Sequence, residues 1–419
     1  MPEPQVRIIH AADIHLDSQL HGLGRLGRDD VVADLRLSTR RAFDGLVAHC
    51  IATSPDALVI AGDLYDGNWP DYSTGVYFTE RMRDLADAAV PVVLVRGNHD
   101  AESVISRSLV LPPNVRQLST SEPESLEIGG ICFHGQGFNK PAVMANLAVT
   151  YPAPAPGMVN VGVLHTSVQG YEGHDPYAPC TVDHLVGRGY EYFALGHIHK
   201  RQTLASGPNT VAFSGNLQGR NPREIGAKGA LEVLLAPGVE AEVAFLPFDV
   251  ARWDAIDVNV TDAADYSGVL ELVSGEVSRS SDAADGRMVV ARVRLVGTNP
   301  LAGALADRDR LGHEIRPLAA RFGVVVDKVT SEVIAPTERR QMPEAQRRLL
   351  EREIEAVLAD PASLRADPLL KKDLDQLVSE VNLQFTRGAG LDLASDDRFA
   401  ELVAEAAARL LARADGGFA

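Results

Sequence analysis

The chain has 419 residues, of which 45% are hydrophobic and 23% charged, a composition typical of a globular protein with two or three domains. Its formal net charge of −17 argues against a protein that holds nucleic acid by bulk charge. Three scattered cysteines indicate neither a disulfide framework nor a thiolate metal site. Because the sequence shows no signal peptide and no apolar run of about 18 residues, we expect a cytoplasmic location and no membrane contact.

Five predicted strands in the first half of the chain end in polar residues. They cover residues 6–12, 57–61, 90–95, 159–164 and 192–195, and helix-like segments at 34–53 and 73–89 separate the first three. The polar residues after the strands are Asp13 and His15, Asp63, then Asn98, His99 and Asp100, then His165, and finally His197 and His199. Alternating strands and helices indicate a parallel sheet, and such sheets bind ligands beyond the carboxyl ends of their strands.

Seven of these side chains are predicted metal ligands: Asp13, His15, Asp63, Asn98, His165, His197 and His199. Carboxylate, imidazole and amide donors without sulfur favour Mn²⁺, Fe²⁺ or Zn²⁺ over Mg²⁺, which prefers an all-oxygen shell. Asp63 could bridge two ions about 3.5–4 Å apart, the arrangement that clamps a phosphoryl group. A single histidine at a strand end is usually structural, but seven donors after five strands favour a metal centre.

The segment 214–229 combines glycines with cationic side chains directly after the last histidine pair. Because glycine permits close backbone approach, we predict that Arg220, Arg223 and Lys228 contact substrate phosphates. The alternative is a glycine-rich hairpin with solvated charges.

The remainder of the chain has a different character. Strand-like runs at 256–260, 288–296 and 324–329, helix-like runs at 263–277 and 301–321, and a polar loop at 278–286 predict a small α/β domain over residues 251–336. Residues 337–419 begin with a charged linker and turn helical. Apolar residues at helical spacing form three stripes in this region, and these stripes either pack within their own domain or dock a partner. The first stripe is Leu350, Ile354, Val357 and Leu358, the second is Leu370, Leu374, Leu377 and Val381, and the third is Phe399, Leu402, Val403, Ala406 and Leu410.

The residues after the five strands form motifs that resemble those of the calcineurin-like metallophosphoesterases. These motifs are Asp13-x-His15, Gly62-Asp63, Gly97-Asn98-His99-Asp100, His165 and Gly196-His197-x-His199. The resemblance implies an α/β fold, an αββα sandwich over residues 1–250, with two divalent ions at one edge. One ion would take Asp13, His15, Asp63 and His199, and the other Asp63, Asn98, His165 and His197. We expect Mn²⁺, with Fe²⁺ or Zn²⁺ as alternatives.

The same resemblance implies two catalytic residues. A hydroxide bridging the metals would attack phosphorus in line. His99 would stabilise the transition state or protonate the leaving oxygen, and Asp100 would orient the ring of His99.

Within that superfamily the chain resembles the SbcD-type DNA repair exonucleases, particularly the YhaO-like group. The stretches that carry the resemblance are 10–18, 61–66 and 214–224, although Asp66 stands where some relatives have histidine. The resemblance implies a manganese-dependent DNA exonuclease, also an endonuclease, with a capping domain at 251–336. It further implies an SbcC-like coiled-coil ATPase partner and a homodimer.

Two other functions are compatible with the sequence. A phosphodiesterase for small molecules or nucleotides fits the acidic net charge, but leaves about 170 residues beyond the sandwich without a role. A non-catalytic scaffold for the ATPase is the third hypothesis, and the complete ligand set argues against it.

Overall fold

A computed structural model describes residues 5–18, 20, 28–66, 72–102, 109–168, 176–336, 344–368, 370–371 and 396–414. The strands are β1 (Val6–Ala11), β2 (Ala57–Ala61), β3 (Val92–Val95), β4 (Val115–Gln117), β5 (Glu124–Ile128), β6 (Ile131–Gly135), β7 (Val159–His165), β8 (Tyr192–Gly196), β9 (Gln202–Ala205), β10 (Thr210–Phe213), β11 (Gly229–Leu235), β12 (Glu242–Pro247), β13 (Ala251–Asn259), β14 (Met288–Val296) and β15 (Val324–Ser331). The α-helices are α1 (Asp29–Arg36), α2 (Ser38–Thr53), α3 (Ser73–Asp87), α4 (Asn98–Glu102), α5 (Val182–Val186), α6 (Tyr266–Ala283), α7 (Arg308–Ala320), α8 (Glu344–Ala359), α9 (Pro361–Arg365) and α10 (Asp396–Ala414).

Two six-stranded sheets form the first part of the chain. Their strand orders are β12-β11-β1-β2-β3-β4 and β5-β6-β7-β8-β10-β9. In the first sheet β1, β2, β3 and β4 run parallel, and β11 and β12 add antiparallel pairings. In the second sheet β6, β7, β8 and β10 run parallel, and the edge strands β5 and β9 are antiparallel to their neighbours. The burial of all five residues of β2 explains its continuous apolar sequence.

The two sheets pack face to face with helices outside. Ile8 and Val59 of the first sheet share a core with Phe133 and Val161 of the second. Helices α2 and α3 cover the outer face of the first sheet, and α5 packs on the outer face of the second. These four layers confirm the predicted αββα sandwich.

Register brings the carboxyl ends of the parallel strands together. Ala61 at the end of β2 pairs with Val95 at the end of β3, and His165 pairs with Gly196 in the second sheet. The polar residues that follow these strands therefore gather at one edge of the sandwich.

A third, three-stranded parallel sheet begins at Ala251, in the order β13-β14-β15. Helices α6 and α7 connect its strands and share its core. Val31 and Leu35 of α1 pack against Trp253 and Val290, so this accessory sheet has an apolar contact with the sandwich.

The predicted polar loop at 278–286 is wrong, because α6 continues to Ala283. Val269, Val273 and Val277 are buried at a spacing of four residues. The hydroxyl of Ser281 donates to the Phe322 carbonyl at 2.7 Å, so tertiary contacts satisfy polar groups that seemed to mark a loop.

Two predicted helices are each divided in the structure. The segment 34–53 separates at Leu37 into the end of α1 and all of α2. The segment 301–321 becomes a 3₁₀ helix over Pro300–Ala306 and then α7, with Asp307 as the N-cap that accepts the Arg310 backbone N–H at 3.1 Å.

Compact packing divides the chain into units 1–335 and 336–419. In the second unit α8, α9 and α10 form an open apolar pocket of about 430 Å³, lined by residues such as Ile354, Phe399 and Val403 from the predicted stripes. Leu374, Leu377 and Val381 lie outside the described residues. No helix within the described part of the chain is long and apolar enough to cross a membrane.

Candidate metal centre

Tight turns at the strand ends hold four of the predicted ligands in unusual backbone conformations. Asp13, His15 and Asp63 have φ of 50°, 46° and 50°, and His197 has φ of 103°. Residues other than glycine seldom adopt these angles, and such strain is concentrated at functional sites. Backbone hydrogen bonds of 3.0 Å from Asp13 N to Gly62 O and from His15 N to Asp63 O join the first two turns.

Asp63 lies at the centre of the site and is 2% exposed. Its Oδ1 accepts the His99 backbone N–H at 3.0 Å, while Oδ2 lies 3.4 Å from Nε2 of His165 and 3.8 Å from Nε2 of His15. A Cβ at Gly97 would lie 2.7 Å from the Asp63 backbone nitrogen, so only glycine leaves room for this carboxylate.

Asp13, His15 and His199 form one cluster of donor atoms. Nε2 of His15 and Nε2 of His199 are 3.3 Å apart, and Nε2 of His199 is 4.0 Å from Asp13 Oδ1. The Nδ1 atoms of these two rings lie instead beside the carboxylates of Asp66 and Glu224, at 3.3 and 2.9 Å. With protons on the two Nδ1 atoms, two Nε2 lone pairs would face each other, a repulsion that a bound cation would relieve.

Burial is the main cause of the low basicity of His15. Desolvation, reinforced by the guanidinium of Arg220, lowers the pKa of His15 to about 3. The ring is therefore neutral at physiological pH, the state in which imidazole binds a metal.

A second cluster contains Asp13, Asp63 and His165. His165 Nδ1 donates to the Ala61 carbonyl at 3.0 Å, and its Nε2 lies 3.0 Å from Asn98 Oδ1. The ring of His197 adjoins this cluster, with its centroid 5.2 Å from that of His165. The His197 backbone N–H also donates to both Asp13 carboxylate oxygens at 3.0 Å.

The buried carboxylates of the two clusters differ in acidity. Burial raises the pKa of Asp13 above its usual value, although His199 and His165 oppose the change. Burial would also raise the pKa of Asp63, but the imidazole of His165 holds it well below its ordinary range. Despite its burial, His165 has a pKa raised to about 9 by Asp63. A divalent cation would replace the charge of that imidazolium and leave Nε2 free as a ligand.

The residues present therefore fit a pair of divalent cations. Asp13, His15 and His199 surround one position, and His165 with Asn98 and the adjoining His197 surrounds the other. Asp63 reaches both, as expected for a bridging carboxylate.

The structure places Asp66, instead of the predicted Asp100, beside the ring of His99. Nδ1 of its ring lies 3.4 Å from Asp66 Oδ1. The carboxylate of Asp100 instead accepts backbone N–H groups of Gly97 at 2.9 Å and Tyr65 at 3.0 Å, and so braces the two turns that carry Asp63 and His99. Asp66, not Asp100, is placed to orient the ring; its position three residues after Asp63 was the available signal.

The three predicted phosphate-binding residues lie in different environments. Arg220 is near the metal centre, 3.5 Å from carboxylate oxygens of Asp66 and Glu224, and Arg223 is exposed. Lys228 is 8% exposed, and its ammonium donates to the His199 carbonyl at 2.9 Å. The phosphate contact predicted for Lys228 therefore conflicts with its burial, which also lowers its pKa.

Comparison with known proteins agrees with this geometry. The family model of calcineurin-like phosphoesterases matches residues 6–201, and that of the middle domain of metallophosphoesterase YhaO matches residues 253–334. The uncharacterized metallophosphoesterase YhaO of Bacillus subtilis is 31% identical over 299 residues, covering 70% of this chain and 72% of the relative. The chain belongs to the calcineurin-like phosphoesterase family. It is therefore a metal-dependent phosphoesterase.

Solved structures similar to this phosphoesterase include a dimetal phosphatase from Danio rerio and a Vps29 protein from Entamoeba histolytica. The first has a TM-score of 0.31 and 12% identity, covering 57% of this chain and 99% of the other. The second has a TM-score of 0.23 and 13% identity, with the same two coverages.

Replacing Gly97 with alanine should weaken metal binding, because the new methyl group displaces Asp63. We expect the affinity for Mn²⁺ to fall at least about tenfold in isothermal titration of the metal-free protein. The control is Gly275→Ala, in α6, where an added Cβ has no neighbour within 4 Å. This control should bind Mn²⁺ normally and gain up to about 1 kcal/mol of stability. Equal affinities in the two variants would contradict the role of Gly97.

Proposed function

We propose that this phosphoesterase is a DNA phosphodiesterase, an exonuclease of the SbcD type that also has endonuclease activity. The main support for the proposal is the position of Arg220 beside the metal centre. Its guanidinium lies 3.5 Å from the carboxylate of Asp66, and the same carboxylate lies 3.4 Å from Nδ1 of His99. A guanidinium at that position binds the phosphate adjoining the scissile bond. Exposed Arg223, three residues later, extends the cationic surface along a substrate with several phosphates.

The side chains of this site have separate tasks in phosphodiester hydrolysis. Bound as a pair, divalent cations lower the pKa of a water molecule and neutralise charge on phosphoryl oxygens. The side chain of His99 is 36% exposed, so a substrate can reach it. Asp66 lies 3.4 Å from Nδ1 of His99 and stabilises the doubly protonated ring, which would give its Nε2 proton to the leaving oxygen and become neutral with the remaining proton on Nδ1.

We propose Mn²⁺ as the physiological ion, because mixed imidazole, amide and carboxylate donors suit it, with Fe²⁺ and Zn²⁺ as the alternatives. We also propose that the enzyme acts in DNA repair in the cytoplasm, with the accessory sheet selecting DNA ends.

The net charge of −17 supports a second candidate, a phosphodiesterase for small molecules or nucleotides, because an acidic surface repels long nucleic acids.

The two candidates are separated by their substrates. We expect the purified protein with Mn²⁺ to degrade linear duplex DNA and to hydrolyse bis-p-nitrophenyl phosphate. His99→Ala should reduce both rates by about 10²–10⁴ without changing Mn²⁺ affinity, because the proposed role of the ring is proton transfer and His99 is not one of the seven proposed metal ligands. The control is His313→Ala, an exposed histidine in α7, which should retain both rates.

Hydrolysis of the small ester with intact duplex DNA would favour the second candidate. Wild-type turnover by His99→Ala would contradict the role given to that residue.

We further propose that the unit 336–419 docks an SbcC-like coiled-coil ATPase, and that the nuclease is a homodimer. Support for docking comes from the exposed leucines of the helical unit, with Leu358 and Leu410 exposed by 42% and 52%.

The double variant Leu358→Glu and Leu410→Glu should lose co-purification with the ATPase, because carboxylates oppose an apolar contact. Val239→Glu, at a residue exposed by 51% in the first unit, is the control. Retention of the ATPase by the double variant would reject this docking surface.

A further inference from the structure

Glu224 lies directly behind one of the metal ligands. Its Oε1 is 2.9 Å from Nδ1 of His199, on the side of the ring opposite the donor cluster. Nε2 of the same ring is 3.3 Å from His15 Nε2 and 4.0 Å from Asp13 Oδ1. The imidazole therefore joins a carboxylate to the metal position, an arrangement that selects the tautomer with the lone pair on Nε2.

The carboxylate of Glu224 is itself held in place. The residue is 9% exposed, and its Oε2 accepts Nδ2–H of Asn216 at 2.8 Å and the backbone N–H of Arg220 at 2.7 Å. The guanidinium of Arg220 lies 3.5 Å from Oε1. Because both oxygens have fixed partners, Glu224 can fix the orientation of His199 in turn.

The ligand histidine of the other cluster has a different partner. Nδ1 of His165 donates to the backbone carbonyl of Ala61 at 3.0 Å. A carboxylate makes an imidazole a stronger electron donor than a neutral carbonyl does. The two metal positions therefore differ in how their histidines are supported, and a change at Glu224 should affect mainly the position served by His199.

The loop that carries Glu224 is attached to the first strand of the accessory sheet. Trp253 Nε1 donates to the Gly219 carbonyl at 3.1 Å, and Gly226 N donates to the Trp253 carbonyl at 2.9 Å. A Cβ at Gly219 would lie 2.8 Å from the Glu224 carbonyl oxygen and 3.0 Å from Trp253 Cδ1, so the loop is tightly packed here. Contacts with Trp253 on both sides of Glu224 connect the accessory sheet to the metal centre.

We propose that Glu224 is a positioning residue that fixes the tautomer and orientation of the metal ligand His199, and that Trp253 of the accessory sheet holds Glu224 in place. The proposal rests on the metal centre and is independent of whether DNA is the substrate. It gives the accessory sheet a role in metal binding in addition to any contact with substrate.

The test is titration of the metal-free, full-length protein with MnCl₂ in a calorimeter. Glu224→Gln keeps the shape of the side chain but removes its charge. We expect this variant to bind one of two Mn²⁺ ions about 10–100-fold more weakly and to retain the other affinity. Glu271→Gln, at an exposed position in α6, is the matched control and should titrate like the wild type.

Wild-type affinity for both ions in Glu224→Gln would overturn the proposal, and so would equal weakening of both. Absence of Mn²⁺ binding by the wild type would overturn the metal centre itself, whereas absence of DNA cleavage alone would leave this inference standing.

Trp253→Phe tests the connection to the accessory sheet and decides the outcome if Glu224→Gln does not fold. Phenylalanine retains an aromatic ring but lacks the N–H that donates to Gly219. We expect the same single Mn²⁺ ion to bind several-fold more weakly, while circular dichroism and the thermal unfolding temperature of the metal-free protein stay close to wild type. Unchanged affinity for both ions in this variant would overturn the part assigned to the accessory sheet.

Discussion

The structure depends on a buried carboxylate, Asp63, held between imidazoles at the meeting point of two sheets. An isolated buried charge is strongly unfavourable, so it must have compensating partners. The cationic ring of His165 supplies part of that compensation, and the His99 backbone N–H supplies more. Gly97 leaves the space that this arrangement needs. A divalent cation bound beside Asp63 would complete the compensation.

A second layer of carboxylates determines how the rings face the site. Asp66 lies beside Nδ1 of both His15 and His99, and Glu224 lies beside Nδ1 of His199. These three contacts direct the opposite ring nitrogens toward metal or substrate. Asp66 thus contacts a predicted metal ligand and the predicted proton donor with one carboxylate. Its contact with His15, together with Ser18 and Arg220, keeps the pKa of Asp66 below the usual range although burial opposes this.

Much of the sandwich could be predicted because its signals are local. An apolar run followed by Gly62-Asp63 marks a strand and its turn, and the βαβ alternation makes such turns share an edge. Ring orientation could not be predicted in the same way. Asp100 adjoins His99 in sequence, yet its carboxylate binds the backbone at Gly97 and Tyr65, because the two turns pack against each other. The burial of Lys228 likewise follows from tertiary packing that its glycine-rich surroundings do not reveal.

The most direct test of the dinuclear metal centre is anomalous diffraction from crystals grown with Mn²⁺, recorded at the manganese absorption edge. We expect two peaks about 3.5–4 Å apart on either side of the Asp63 carboxylate, one beside His15 and His199 and the other beside His165 and Asn98. A site without anomalous density, or peaks remote from Asp63, would contradict the dinuclear centre.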